Sequence, residues 1–196
     1  MCLILCEGKY DTLFLQQVIE NSSELETDRY TGKEGDKLYQ QQDYMESFEY
    51  KPEEVLLKGE SGKDFQLQIY KNQLLDFDRK YSSHFLLWDL DGAEPENKFE
   101  KYETHLEQRF EAHKPVNLEM EIESENELFY SIKLTGQIAD YQFETPVIAF
   151  KTNLEEEADI NHQEHNEEQK TERTKELASN DSVLEFFESK LLQEIS

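Results

Sequence analysis

Three features of the sequence predict an α/β fold: an open, mostly parallel sheet flanked by helices. Two apolar runs end abruptly in acid and glycine, Leu3-Ile4-Leu5-Cys6-Glu7-Gly8 and Phe85-Leu86-Leu87-Trp88-Asp89-Leu90-Asp91-Gly92. Strand-like and helix-like segments alternate from residue 2 to about residue 113, the pattern of parallel strands joined by right-handed crossovers. Past Pro115 the apolar residues recur at every second position, which adds a β-hairpin extension. An acidic helical C-terminal tail follows.

Residues 2–6 read as a buried strand, turned by Glu7-Gly8. Phe14, Leu15, Val18 and Ile19 recur at helical spacing from Asp11 to about Asn21, and Asp11 can cap that helix. Residues 22–50 are polar, with tyrosines at 30, 39, 44 and 50, and form a long loop or a small insertion. Val55-Leu56-Leu57 is a second strand. In residues 64–80, Phe65, Leu67 and Ile69 alternate like a strand whereas Leu67, Tyr70, Leu74 and Phe77 fit a helix; helix is favoured, since the segment is long, lacks glycine and proline, and lies between two strands. Residues 85–90 are the third strand and Glu96 to His113 a charged helix.

Val116, Leu118, Met120 and Ile122 alternate, as do Leu128, Tyr130, Ile132 and Leu134, with Ser124 to Glu127 between them. A further strand is expected near 138–144 and a buried one at Val147 to Phe150. Residues 153–176 read as a solvated helix or disorder. Val183, Leu184, Phe186, Phe187, Leu191 and Leu192 form a last amphipathic helix. The expected division is an α/β domain over 1–152, with a polar insertion at about 22–50 and a β-rich extension at about 116–145. Residues 153–196 complete the chain.

The 196 residues include 45 acidic and 20 basic side chains, a formal net charge of −25. Such a charge opposes passive binding to nucleic acid, because phosphate contact relies on a basic footprint. Nucleic acid is then recruited through bound divalent cations, through a local cluster such as Lys58 with Lys63, or through a protein partner. Glutamate (33) far outnumbers aspartate (12) and lysine (16) is plentiful, which fits salt adaptation poorly. Cys2 and Cys6, four apart on one strand, lie roughly 13 Å apart, too far for a disulfide. No run reaches the length of a membrane span, so a cytoplasmic protein with no membrane partner is expected.

Asp89 and Asp91, two apart on a strand, point to one face. A strand that stops on a carboxylate exposes it at the sheet's C-terminal edge, where open α/β sheets hold their ligands. If the first and third strands are neighbours, Glu7 ends beside the two aspartates. Three carboxylates there call for a cation, and magnesium accepts a few carboxylates while keeping waters that substrate phosphate can replace. Lys9, Lys58 and Lys63 are the candidate substrate-binding cations. Gly59-Glu60-Ser61-Gly62-Lys63 lacks the spacing of a phosphate loop and reads as a turn that aims Lys63 at phosphate. His162 and His165 could share a helix face, and one of Glu155, Glu156, Glu157 or Asp159 could complete a metal site.

An apolar strand, Glu7-Gly8, a polar pair, Asp11 and Leu13-Phe14-Leu15, followed later by an apolar strand and Asp89-Leu90-Asp91, resembles the Toprim domain. Bacterial primases, type IA and type II topoisomerases, old-family nucleases, ribosomal-RNA maturases and recombination mediators share that domain. The resemblance covers residues 2–20 and 85–92. It implies a Toprim-like sheet and phosphoryl transfer dependent on Mg2+ (or Mn2+), as a nuclease-type activity on DNA or RNA. It also implies Glu7 as acid/base or metal ligand, Asp89 as a catalytic ligand, and Asp91 as the second acid of the metal-binding pair. One alternative is a catalytically silent Toprim-like binding or regulatory module with an acidic partner-binding surface. The second motif alone also looks like that of haloacid-dehalogenase-type phosphatases, with Asp89 as nucleophile and Asp91 as acid.

Overall fold

The computed structural model describes residues 2–31, 54–59 and 62–195. Seven strands form one sheet in the order β2-β3-β1-β4-β7-β6-β5. They are β1 (Cys2–Cys6), β2 (Glu26–Thr31), β3 (Glu54–Gly59), β4 (Ser83–Asp89), β5 (Val116–Glu125), β6 (Phe129–Ile138) and β7 (Tyr141–Phe150). The ladders from β2 through β7 are parallel, whereas β7, β6 and β5 pair antiparallel.

The central strand β1 is buried at all five positions, as expected of a parallel strand covered on both faces. One face carries Leu3, Leu5, Leu56, Leu86 and Trp88 against α2 (Lys63–Lys80) and α3 (Pro95–Arg109). The other carries Ile4, Val55, Leu57, Phe85 and Leu87 against α1 (Lys9–Ser22). The chain leaves β1 through α1 toward β2 and β3, then crosses beneath β1 through α2 to reach β4 on the opposite side. The carboxyl ends of β1 and β4 therefore bound the switch point of the sheet, where a crevice opens.

Several expectations are refined. The first helix starts at Lys9 with Gly8 as its N-cap, and Asp11 acts from the third helical position, accepting the Gly8 N–H at 2.7 Å. The polar stretch after it contains the edge strand β2, and residues 32–53 lie outside the described residues. The charged helix ends at Arg109 and is followed by a 3-10 turn at Glu111–His113. The strands expected near 138–144 and at 147–150 are one strand, β7. Pro146 is tolerated within it because the ladder to β4 begins one residue later, at Val147.

Residues 153–176, expected as a solvated helix or disorder, are folded, and the expected amphipathic helix after them docks on the core. The C-terminal segment forms α4 (Leu154–Glu157), α5 (Glu167–Ala178) and α6 (Asp181–Phe187), the last continued by a π turn over Glu188–Leu192. Phe186, Phe187, Leu191 and Leu192 join the same buried cluster as Phe14, Phe129 and Phe150. Phe187 meets the Phe14 ring at 5.5 Å and the Phe129 ring at 5.3 Å, both edge-on. Both cysteines are buried and neither is in a disulfide. No helix among the described residues is long and apolar enough to cross a membrane.

Candidate active site at the carboxyl ends of β1 and β4

The β1–β4 ladder stops at Leu5 and Leu86, while β4 stays paired with β7 through Asp89. The two strands thus splay, and two side chains span the gap. The buried amide of Gln66 on α2 donates to Leu5 O at 2.9 Å and Leu87 O at 2.8 Å, and its oxygen accepts the Tyr102 hydroxyl at 3.0 Å. Beyond it, the Asp89 backbone N–H donates to Glu7 Oε1 at 3.2 Å. Glu7 is therefore held directly against the end of β4.

The turn after β3 closes against the same place. The Gly62 N–H donates to Glu7 O at 2.9 Å, with Gly62 at φ +118, a conformation that favours glycine. A Cβ on Gly59 would sit 2.6 Å from Gly8 O, so β3 and the Glu7-Gly8 turn approach this closely only with glycine there. Glu60 and Ser61 of the expected turn lie outside the described residues.

Three carboxylates are buried here: Glu7 and Asp11 are each 5% exposed and Asp89 8%. Asp89 is pushed up to about 7, first by burial and next by the charge of Glu7. Burial also lifts Asp11 well above the usual carboxylate range, with Asp89 and Glu7 adding to the effect. Asp89 Oδ1 is buried and has no hydrogen-bond partner among the described residues.

Lysines face the acids. Lys98 of α3, only 11% exposed, pairs with Glu7 Oε1 and reaches Asp89 O at 3.3 Å. Its ammonium stands 5.3 Å from the Trp88 ring centroid. Burial lowers its basicity and the Glu7 carboxylate partly restores it. Lys63, the first residue of α2, pairs with Asp91 Oδ2 and lies 4.0 Å from Glu7 Oε2.

Glu7 and Asp89 are thus brought together as the sequence suggests. Asp91 is not presented in the expected way: β4 ends at Asp89, and Asp91 sits in the following turn at φ 52, half-exposed. Strand alternation no longer applies there, and Asp91 reaches the cluster through Lys63. Lys9 lines the cleft with Glu7, although its ammonium pairs with Glu167 at 2.5 Å. Lys58 is fully buried on β3 and does not line the cleft. His162 and His165 lie in the turn before α5 rather than on a helix. Of the four later acids, Glu155 lines the cleft, whereas Glu157 accepts from Thr152 and Asp159 pairs with Arg173.

Lys98 and Gln66 escaped the sequence reading, because nothing in a charged helix or an amphipathic one separates a site-facing Lys or Gln from solvated neighbours. The cleft over the cluster measures about 340 Å³ and is lined by Glu7, Asp11, Lys63, Asp89 and Glu155 among others. Among the described residues no set of three His, Cys, Asp or Glu side chains is already arranged to hold a metal ion. The donors nevertheless suit magnesium, which needs one or two carboxylates and completes its shell with water and substrate phosphate. A buried carboxylate oxygen without a partner is one such donor. No family model, curated protein or solved structure matches the chain.

Proposed function

We propose a Toprim-like, Mg2+-dependent phosphoryl-transfer protein that cleaves phosphodiesters in DNA or RNA. The observation that carries this reading is the pairing of Glu7 and Asp89 across the sheet's switch point, with Asp89 Oδ1 buried and unsatisfied among the described residues. Burying carboxylates together is costly, and a site that accepts this cost gains a place for a cation.

Asp89 and Glu7 would hold the metal, with Asp91 entering once Lys63 lets go. When bound, magnesium supplies positive charge for the phosphoryl oxygens. Where Asp89 and Asp91 alone hold the ion, Glu7, at the cleft and released from Lys98, is placed to take a proton from an attacking water. Lys63 and Lys98, displaced from their carboxylates, become charge partners for the phosphate. A cytoplasmic setting fits this chemistry.

A second reading has its own support: a silent module of the same fold. Lys98 and Lys63 already neutralise Glu7 and Asp91, so two of the four acids are compensated without a cation.

Magnesium titration followed by melting temperature, with cleavage of single- and double-stranded DNA and RNA, separates the two. The proposed function requires a midpoint that rises with magnesium by mass action, and nicking that Asp89→Asn abolishes. No shift at millimolar Mg2+ or Mn2+ and no cleavage leaves the module.

A further inference from the structure

A second cleft, of about 220 Å³, lies between the N-terminal halves of α2 and α3 and opens on Asp89, Asp91, Lys63 and Lys98. Its floor is apolar, formed by Leu67, Leu90 and Tyr102, and its rim carries Ala93, Asn97 and Lys101 beside the acids Asp64 and Glu94, so a phosphate enters only with a cation. Pockets for drug-sized ligands measure roughly 300–1,000 Å³; at about 220 Å³ this cleft is smaller and has room for one nucleoside at most, not for a stretch of polymer. Asn97 offers a donor and an acceptor together, the combination a base edge presents in return. The ligand chemistry that matches is a flat ring at one end and a phosphate at the other, the phosphate lying toward the lysines and acids.

The surroundings argue against a long strand continuing past this point. Glu96, Glu100 and Glu107 are exposed along α3 and Glu94 just before it, and the whole chain carries −25. A polyanion following the helix would meet repulsion rather than the basic track that backbone binding uses.

We propose that the α2–α3 cleft receives a single nucleoside whose phosphate is delivered to Glu7 and Asp89. The substrate is then a free nucleoside monophosphate unit or the unpaired terminal nucleotide of a chain. This rests on the metal-dependent phosphoryl-transfer reading above.

The test uses the full chain with adenosine and uridine 5′-monophosphate at millimolar Mg2+. Trp88 is the only tryptophan and its ring lies 4.9 Å from that of Tyr102 in the cleft floor, so its fluorescence reports occupancy. Binding is expected, and Ala93→Phe, at an exposed rim position, should weaken it at least ten-fold. Asn97→Ala should also weaken it, while the magnesium-induced rise in melting temperature persists in both variants.

Linear and circular single-stranded oligonucleotides then compete against the mononucleotide. Competition by the linear form alone identifies a chain end, and competition by neither identifies a free nucleotide. Equal competition by the circle, unchanged affinity in Ala93→Phe, or no mononucleotide binding overturns the inference. If wild type shows no magnesium shift, the phosphoryl-transfer reading fails separately. Nucleotide binding that Ala93→Phe removes would still establish the cleft.

Discussion

The Glu7 carboxylate accepts the backbone N–H of Asp89 at 3.2 Å, tying the last position of β4 to the residue that follows β1. Because Glu7 also carries Lys98, this bond places a buried cation, two buried acids and the open end of the sheet in one small volume. The energetic consequences can be measured without knowing the substrate.

Asp89→Asn should stabilise the protein above neutrality. The folded-state value of Asp89 is raised to about 7, against an unfolded value near 3.9. Between these the folded state holds a proton that the unfolded state has released, so this group's contribution to stability falls as pH rises from about 4 to 7. The shift corresponds to about 4 kcal/mol as an upper estimate. Asparagine imitates the neutral acid, so urea unfolding should show the variant ahead of wild type at pH 8 and level with it at pH 4. Equal curves at both pH values would refute the burial account of Asp89.

Gln66→Leu should cost on the order of 3 kcal/mol. It removes the donor shared by Leu5 O and Leu87 O and leaves the buried Tyr102 hydroxyl without its acceptor, each loss being worth about 1–3 kcal/mol. Adding Tyr102→Phe should recover part of the loss, about 1 kcal/mol, since the orphaned hydroxyl is then gone. A double-mutant cycle in urea checks both numbers, and additivity would contradict the coupling.

Lys63→Met should tighten magnesium binding and slow any cleavage. The lysine competes for Asp91, and both partners are substantially exposed, which limits the pair to about 1 kcal/mol. That corresponds to roughly a five-fold gain in affinity, read by titration against melting temperature. A loss of magnesium affinity would mean that Lys63 supports the carboxylates rather than competing for them.

Phe187→Ala should destabilise by about 3–5 kcal/mol, the usual cost of removing a buried aromatic side chain. Phe187 is fully buried and packs edge-on against Phe14 and Phe129. Truncation after residue 152 should be worse, because it uncovers Phe14, Phe129 and Phe150 together and leaves a large apolar patch. Soluble, cooperatively folding protein from that truncation would show that the C-terminal helices are dispensable.

Local patterns were enough for the elements that carry strong periodicity. The run Leu3 to Cys6, short and closed at once by Glu7-Gly8, reads as a strand buried on both faces, and the alternation from Val116 to Ile122 and from Leu128 to Leu134 predicts the hairpin. The same patterns could not place Asp91, since the alternation that aligns it with Asp89 holds only while the strand continues. They also missed the packing role of residues 153–176, where Leu154 and Thr174 are scattered among glutamates and are buried only once the helices are docked, whereas the amphipathic run from Val183 to Leu192 was legible.

By itself the sequence determined the fold class and placed Glu7 and Asp89 at the ends of two strands, because burial periodicity and abrupt polarity are local properties of the chain. Only the tertiary structure decided the rest. It put β1 beside β4 at the switch point, splayed them across Gln66, and brought Lys98 from α3 onto Glu7. Those choices depend on strand order and helix packing between residues up to 91 positions apart, a distance over which no local pattern carries information.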